Sequence, residues 1–225
     1  MPLETPQELP ESVFTLRCVY LFAALLLLLI MVPFLEGTPR GRIALNFINI
    51  LILIAAAVAV SRSRTCLTLA AALGAPTVGF QIVSLVLAEP SLLVLSRAFG
   101  AAFYFATVSY LLSYVLRREV LTQDKLYGSA AAFLMLGILW GYLYFIVLHF
   151  YPGALVESGK AIVDPLISEI AYFSFTVLTS TGFGDITPVH PVARMLCVLE
   201  QVAGVLFIAI LIARLAGSYS PMDRR

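Results

Sequence analysis

Thr179-Ser180-Thr181-Gly182-Phe183-Gly184-Asp185-Ile186-Thr187-Pro188 lies between two long apolar runs of a 225-residue chain. Hydroxyl side chains, two glycines around one aromatic and then a carboxylate form a polar, irregular stretch in a chain that is otherwise strongly apolar. Gly182 and Gly184 reach left-handed backbone conformations without steric cost, so the stretch can turn successive carbonyls to one side. What surrounds it decides the fold.

The chain is 61% hydrophobic and 12% charged, with a formal net charge of +1 and a mean hydropathy of +0.99. A soluble domain carries about twice that fraction of charge. Neither a nucleic-acid footprint nor an acidic tail is present. Cys18, Cys66 and Cys197 have no ligand spacing and read as small packing residues. The first apolar run is longer than a signal-peptide core and lacks a convincing cleavage site, which makes it a retained span.

A helix needs roughly 20 apolar residues to cross a bilayer. Six stretches qualify, near 14–35, 43–61, 66–88, 92–116, 127–150 and 189–215. Short, turn-rich breaks separate them, except for a charged connector at 117–125 and a longer break from Tyr151 to Pro188. Inside that last break, Asp164 is expected to cap a short helix and Pro165 to occupy its first turn. Running from Leu166 to about Thr179, such a helix is roughly 21 Å long, too short to cross and too apolar for water. A re-entrant half-helix satisfies both facts. Irregular backbone at membrane depth is tolerated only where protein buries it or a watery cavity lines it.

The glycine stretch after that half-helix therefore has what a narrow pore needs to strip water from a cation. Asp185 would stand at its water-facing mouth. Basic residues orient the chain: with both ends cytoplasmic, nine (Arg17, Arg62, Arg64, Arg117, Arg118, Lys125, Arg214, Arg224, Arg225) lie inside and five (Arg40, Arg42, Arg97, Lys160, Arg194) outside. That excess favours cytoplasmic termini and an outward Asp185.

From Tyr172 to Pro188 the sequence resembles the pore helix and selectivity filter of tetrameric potassium channels: two aromatics, a short helix, a Thr-Val-Gly-Tyr/Phe-Gly-Asp-like run, and a proline three residues on. The resemblance extends over roughly 127–216, and Gly204, nineteen residues after Asp185, matches the family's inner-helix hinge position. It implies a homotetramer around one axis. Ser180, Thr181, Gly182, Phe183 and Gly184 would line the filter, with K⁺ coordinated at Ser180, Thr181, Gly182 and Phe183. Tyr172, Phe173, Thr176 and Thr179 would support it. Ser180, Thr181 and Phe183 depart from the usual Thr, Val and Tyr, and Tyr172-Phe173 replaces the usual Trp pair. Those departures thin the hydrogen-bonded cuff and leave open a poorly selective monovalent cation channel.

The stretch 92–116 contains one arginine, Arg97, whereas a voltage-sensing helix needs several charges, each contributing about 2.3 kcal/mol per 100 mV. Weak or absent voltage dependence is expected. Glu200 is the acidic residue well inside a span. It is either hydrogen-bonded behind the filter, to Ser174 or Thr176 and with its protonation open, or acts directly on the pore. Gly204 is either a hinge or a site of close packing. His149 and His190 fall at the outer boundary, where interfacial packing is the simpler role.

Gly182-Phe183-Gly184-Asp185 also matches the Gly-x-Gly-Asp signature of intramembrane aspartyl proteases. That chemistry needs a second carboxylate sharing a proton, and Asp124, Asp164 and Asp223 all fall at boundaries or in the tail.

The sequence thus predicts an all-α integral membrane protein of six spans plus a re-entrant pore helix. Residues 1–125 would form a four-helix transmembrane domain. Residues 126–225 would form a pore domain with outer helix 127–150, pore helix 165–179, filter 180–185 and inner helix 189–215. The expected function is passive K⁺ conduction in a plasma or bacterial inner membrane, not enzymatic, with K⁺ as permeant ion and no organic cofactor. The expected partners are lipid and three further copies, with no nucleic acid. No soluble ligand-binding domain is expected after Leu215.

Overall fold

Prolines open three of the long helices, because a residue without an N–H leaves no donor unpaired in a first turn. The computed structural model describes residues 17–60, 64–87, 90–116 and 122–217. Arg62, Arg117, Arg118, Arg224, Arg225 and Asp223 lie outside them. The helices are α1 (Arg17–Leu35), α2 (Pro39–Val60), α3 (Arg64–Leu87), α4 (Pro90–Leu116), α5 (Gln123–Phe150), α6 (Ile167–Leu178) and α7 (Pro191–Ala216).

Five of these helices are long and apolar enough to cross a membrane: α1, α3, α4, α5 and α7. The sixth expected span, 43–61, falls on α2, which is not among the five, because its apolar stretch is the shorter Ile43–Val58. Arg40 and Arg42 take up its first turn.

Residues of α1, α2, α4 and α5 share one core, with Leu21, Leu25, Ile52, Phe103, Tyr104 and Met135 fully enclosed. Polar side chains tie α2, α3, α4 and α5 laterally, as apolar surroundings favour. Gln81 donates to Asn46 at 2.7 Å, Asn49 to the Tyr142 hydroxyl at 3.2 Å, and the Tyr104 hydroxyl to Asn49 at 3.2 Å. On α4, Arg97 lies over the Phe145 ring of α5, 4.1 Å from its centroid.

The long break between α5 and α7 is more ordered than its sequence suggests. It holds a small sheet of order β2-β1-β3, made of β1 (Leu155–Glu157), β2 (Lys160–Ala161) and β3 (Ile186–Pro188). Ser158 and Gly159, both at positive φ (48° and 83°), form the two-residue turn that pairs Glu157 with Lys160; this is the geometry that matches strand twist in a tight hairpin. β3 follows the glycine stretch directly and pairs antiparallel with β1. The stretch is therefore held at one end by a helix and at the other by a strand. A second core, built from Tyr144, Leu155, Ile170, Phe173, Ile186 and Ala193 among others, fills the space between this sheet and helices α5, α6 and α7.

Candidate functional site

The short helix begins later than the sequence implies. Leu166 is the N-cap residue, with no cap from its own side chain, so Asp164 sits two residues outside the cap and Pro165 outside the first turn. Two other carboxylates do the capping. Glu169 of α6 accepts from the Leu166 N–H at 3.0 Å. Glu36, which follows α1, accepts from the Ile167 N–H through Oε1 and from the Ser168 N–H through Oε2 at 2.9 Å. Glu36 is only 6% exposed. A carboxylate at a helix N-terminus meets both unsatisfied amides and the positive end of the helix dipole. The residue just past the end of α1 thus holds the start of α6 from 131 residues away.

At its other end α6 carries the glycine stretch. The Thr181 and Gly182 N–H groups both donate to the Thr176 carbonyl, at 2.8 and 3.1 Å, and the Ser180 N–H donates to the Val177 carbonyl at 2.9 Å. Ser180, Gly182 and Gly184 have φ of 56°, 53° and 83°. Alternate residues are left-handed, and two of the three positions are glycine, where this conformation carries no Cβ penalty. Ser180 does carry that penalty, about 1–2 kcal/mol. Ser180 through Asp185 are all exposed in the single chain, and Phe183 is 69% exposed.

Each expected supporting residue has a defined contact. The Tyr172 hydroxyl donates to Asp185 Oδ2 at 2.7 Å, and its ring stacks on Phe183 with centroids 6.1 Å apart. That hydrogen bond holds the Asp185 carboxyl below the usual carboxylate range. Asp185 Oδ1 accepts from the Ile186 N–H at 3.0 Å, and its carbonyl accepts from the Ser158 N–H at 3.1 Å. Phe173 is buried edge-on to Tyr144 at 4.9 Å. Thr176 holds the stretch through its carbonyl, while its hydroxyl bonds back to Phe173 within the helix. The Thr179 hydroxyl lies 2.9 Å from that of Thr181.

Behind α6, Glu200 is fully buried. Ser174 lies 2.6 Å from its Oε1 and Tyr144 lies 2.5 Å from its Oε2; of the two partners weighed from sequence, the structure supplies Ser174. At Gly204 a Cβ would sit 2.0 Å from the Leu178 carbonyl oxygen, so α7 crosses the end of α6 in backbone contact. Close packing accounts for that glycine. His190 stacks on Tyr151 at 4.1 Å and His149 meets Phe150 edge-on at 5.3 Å, both packing contacts.

Glu36 and Gly137 are contributors that sequence reasoning missed. Tyr144 reads from sequence as packing against the short helix, which its contact with Phe173 bears out, but its bond to Glu200 was not foreseen. A Cβ on Gly137 would lie 2.6 Å from the Phe175 ring. The signal for Gly137 was a glycine in the middle of an apolar helix, which suggests close packing. Glu36 offered only an acidic residue at the end of a span.

A search of curated proteins and a search of solved structures found no match to this chain. Residues 132–219, from α5 through the glycine stretch to the end of α7, match the family model described as "Ion channel". That match supports an ion channel family and a passive ion-conducting role rather than an enzyme, and with the five apolar helices it points to a multi-pass membrane protein.

Proposed function

We propose that the chain is one subunit of a homotetrameric potassium channel with little voltage dependence. The observation that carries this reading is the alternation of left-handed residues at Ser180, Gly182 and Gly184, in a stretch whose amides hang from the C-terminal carbonyls of α6. In four copies around an axis, carbonyls of Ser180, Thr181, Gly182, Phe183 and Gly184, with the Ser180 hydroxyl, replace the hydration shell of K⁺. The partly negative C-terminal end of α6 favours a cation beneath the filter. Asp185 keeps its charge at neutral pH and stands at the outer mouth.

Exposure of Ser180 through Asp185 and of one long apolar face of α7 (Met195, Leu199, Val202, Leu206) supports burial against other copies and lipid. The sixth span is α2, and both termini are cytoplasmic by charge bias. Little voltage dependence follows from the single arginine of α4, whose charge is occupied with Phe145. A poorly selective cation channel is the second reading. It is favoured by Phe183, which holds Tyr172 by stacking alone and offers no hydroxyl to brace the filter. Proteolysis is not favoured, since Asp185 has a phenol and backbone amides as partners, not a second carboxylate.

Reversal potentials under a bi-ionic K⁺/Na⁺ gradient separate the two channel readings. A strongly K⁺-directed potential supports potassium selectivity, whereas a value near zero removes it and leaves the second reading.

A further inference from the structure

Behind the filter, one row of polar groups crosses three helices without a gap. Cys197 Sγ lies 3.2 Å from the Tyr144 hydroxyl, which lies 2.5 Å from Glu200 Oε2. Glu200 Oε1 lies 2.6 Å from Ser174 Oγ, which lies 2.8 Å from the Gly137 carbonyl oxygen. Tyr144, Ser174 and Glu200 are fully buried.

Two oxygens this close need a hydrogen between them. The carbonyl of Gly137 has none to give, while Ser174, Tyr144 and Cys197 each have one. Were Glu200 a carboxylate, the four contacts would share three hydrogens. The shortage falls at Ser174, whose single proton cannot serve both the Gly137 carbonyl and Oε1. One pair of acceptors would then face each other in a buried site with nothing between them, which is costly. A proton on Oε1 completes the set.

We infer that Glu200 is held as a neutral carboxylic acid that donates from Oε1 to Ser174. The relay then runs in one direction, from Cys197 through Tyr144, Glu200 and Ser174 to the Gly137 carbonyl, and clasps α6 to both α5 and α7. Glu200 acts as a positioning residue. Removing its proton turns the donor into an acceptor, so Ser174 must release either Glu200 on α7 or Gly137 on α5. Thr176, whose carbonyl holds the Thr181 and Gly182 amides, is two residues from Ser174, so the loosened helix is the one that carries the filter. The titratable groups facing Glu200 are Tyr144 from α5 and Cys197 from its own helix; α6 presents the neutral Ser174. The consequence for ion passage rests on the channel reading above, but the protonation state does not.

Infrared difference spectroscopy of the full chain in lipid, wild type against Glu200→Gln, tests the protonation directly. The expected result at neutral pH is a protonated-carboxyl C=O stretch present in wild type and absent from the variant; a carboxylate pair in its place overturns the inference. In Ser174→Ala the acid stretch is expected to move to higher frequency as its acceptor is lost, and an unmoved band overturns Ser174 as acceptor. Raising the pH until the acid band disappears is expected to lower wild-type K⁺ flux by about fivefold, the ratio set by one hydrogen bond of ordinary net strength. Glu200→Gln, which cannot ionise, is expected to lack that dependence. An equal fall in both proteins, or loss of the band with flux unchanged, overturns the link to the filter. A wild type that passes no cation at any pH sinks the channel reading, while the infrared arm still decides Glu200.

Discussion

Replacing Glu36 by alanine removes an acceptor for two amides at the start of α6, those of Ile167 and Ser168. Loss of a side-chain N-cap costs about 0.5–2 kcal/mol. A carboxylate in a partly buried position at a helix N-terminus contributes up to about 2 kcal/mol more through the helix dipole. Glu36 is 6% exposed and serves two donors, which places Glu36→Ala toward the upper end, at about 3 kcal/mol. Glu36→Gln keeps one acceptor oxygen and loses the charge, so about 1–2 kcal/mol is expected. Glu169 supplies the comparison on the same helix: it serves one amide in an exposed setting, and its removal is expected to cost about 1 kcal/mol or less. Thermal unfolding of the purified proteins in one detergent, at one protein concentration, gives the order. Wild type should be most stable, then Glu169→Ala, Glu36→Gln and Glu36→Ala. If Glu36→Ala costs no more than Glu169→Ala, α1 does not hold α6 and the long-range cap is refuted.

Gly204→Ala brings a methyl to 2.0 Å from a backbone oxygen that cannot rotate away; a loss of about 3 kcal/mol or failure to assemble is expected in a detergent melt, and wild-type stability would show that α7 has freedom to retreat. Gly137→Ala meets the Phe175 ring instead, a movable neighbour, so Gly137→Ala with Phe175→Leu should recover much of the stability lost by Gly137→Ala alone. In a double-mutant cycle, strict additivity would deny that contact. Tyr172→Phe removes the hydroxyl that lowers the Asp185 pKa from 3.8. A depressed folded pKa stabilises above the unfolded value and is lost as pH falls through the folded one. The melting-temperature gap between wild type and Tyr172→Phe should therefore be constant above about pH 5 and close toward lower pH; a gap that widens on acidification contradicts the bond.

Much of the architecture was legible because apolar runs announce membrane helices by length alone. The expected runs near 66–88, 92–116, 127–150 and 189–215 agree with α3, α4, α5 and α7 to within a few residues. The stretch 180–185 was legible for a local reason: hydroxyls and alternating glycines spell out their own backbone conformation, and Gly182 and Gly184 have the positive φ that reading requires. Ser180 joins them without being glycine, which composition does not reveal.

What failed was tertiary. Asp164-Pro165 has the local chemistry of a helix start, yet the caps come from Glu169 and from Glu36, just past the end of α1. A cap contributed from 131 positions away leaves no pattern in the neighbouring sequence. The hairpin at 155–161 had a signal, Ser158-Gly159 between two short β-compatible pairs, but its strands are too short to compete with the surrounding loop composition. Glu200 was recognisable as an acid inside a span. Its partners were only half legible, since Ser174 lies on the adjacent short helix while Tyr144 reaches it from α5.

The most direct test of the account is ion flux through the purified full-length chain in liposomes, comparing wild type with Gly182→Asp. The substituted position has open space around it, and its φ of 53° adds the same left-handed cost of about 1–2 kcal/mol that Ser180 already carries, while four added carboxylates would crowd the proposed axis. K⁺-driven flux from wild type, abolished in a Gly182→Asp protein that remains folded and assembled, is the predicted result. Flux that survives the substitution, or none from wild type across cations and voltages, would contradict a pore at residues 180–185.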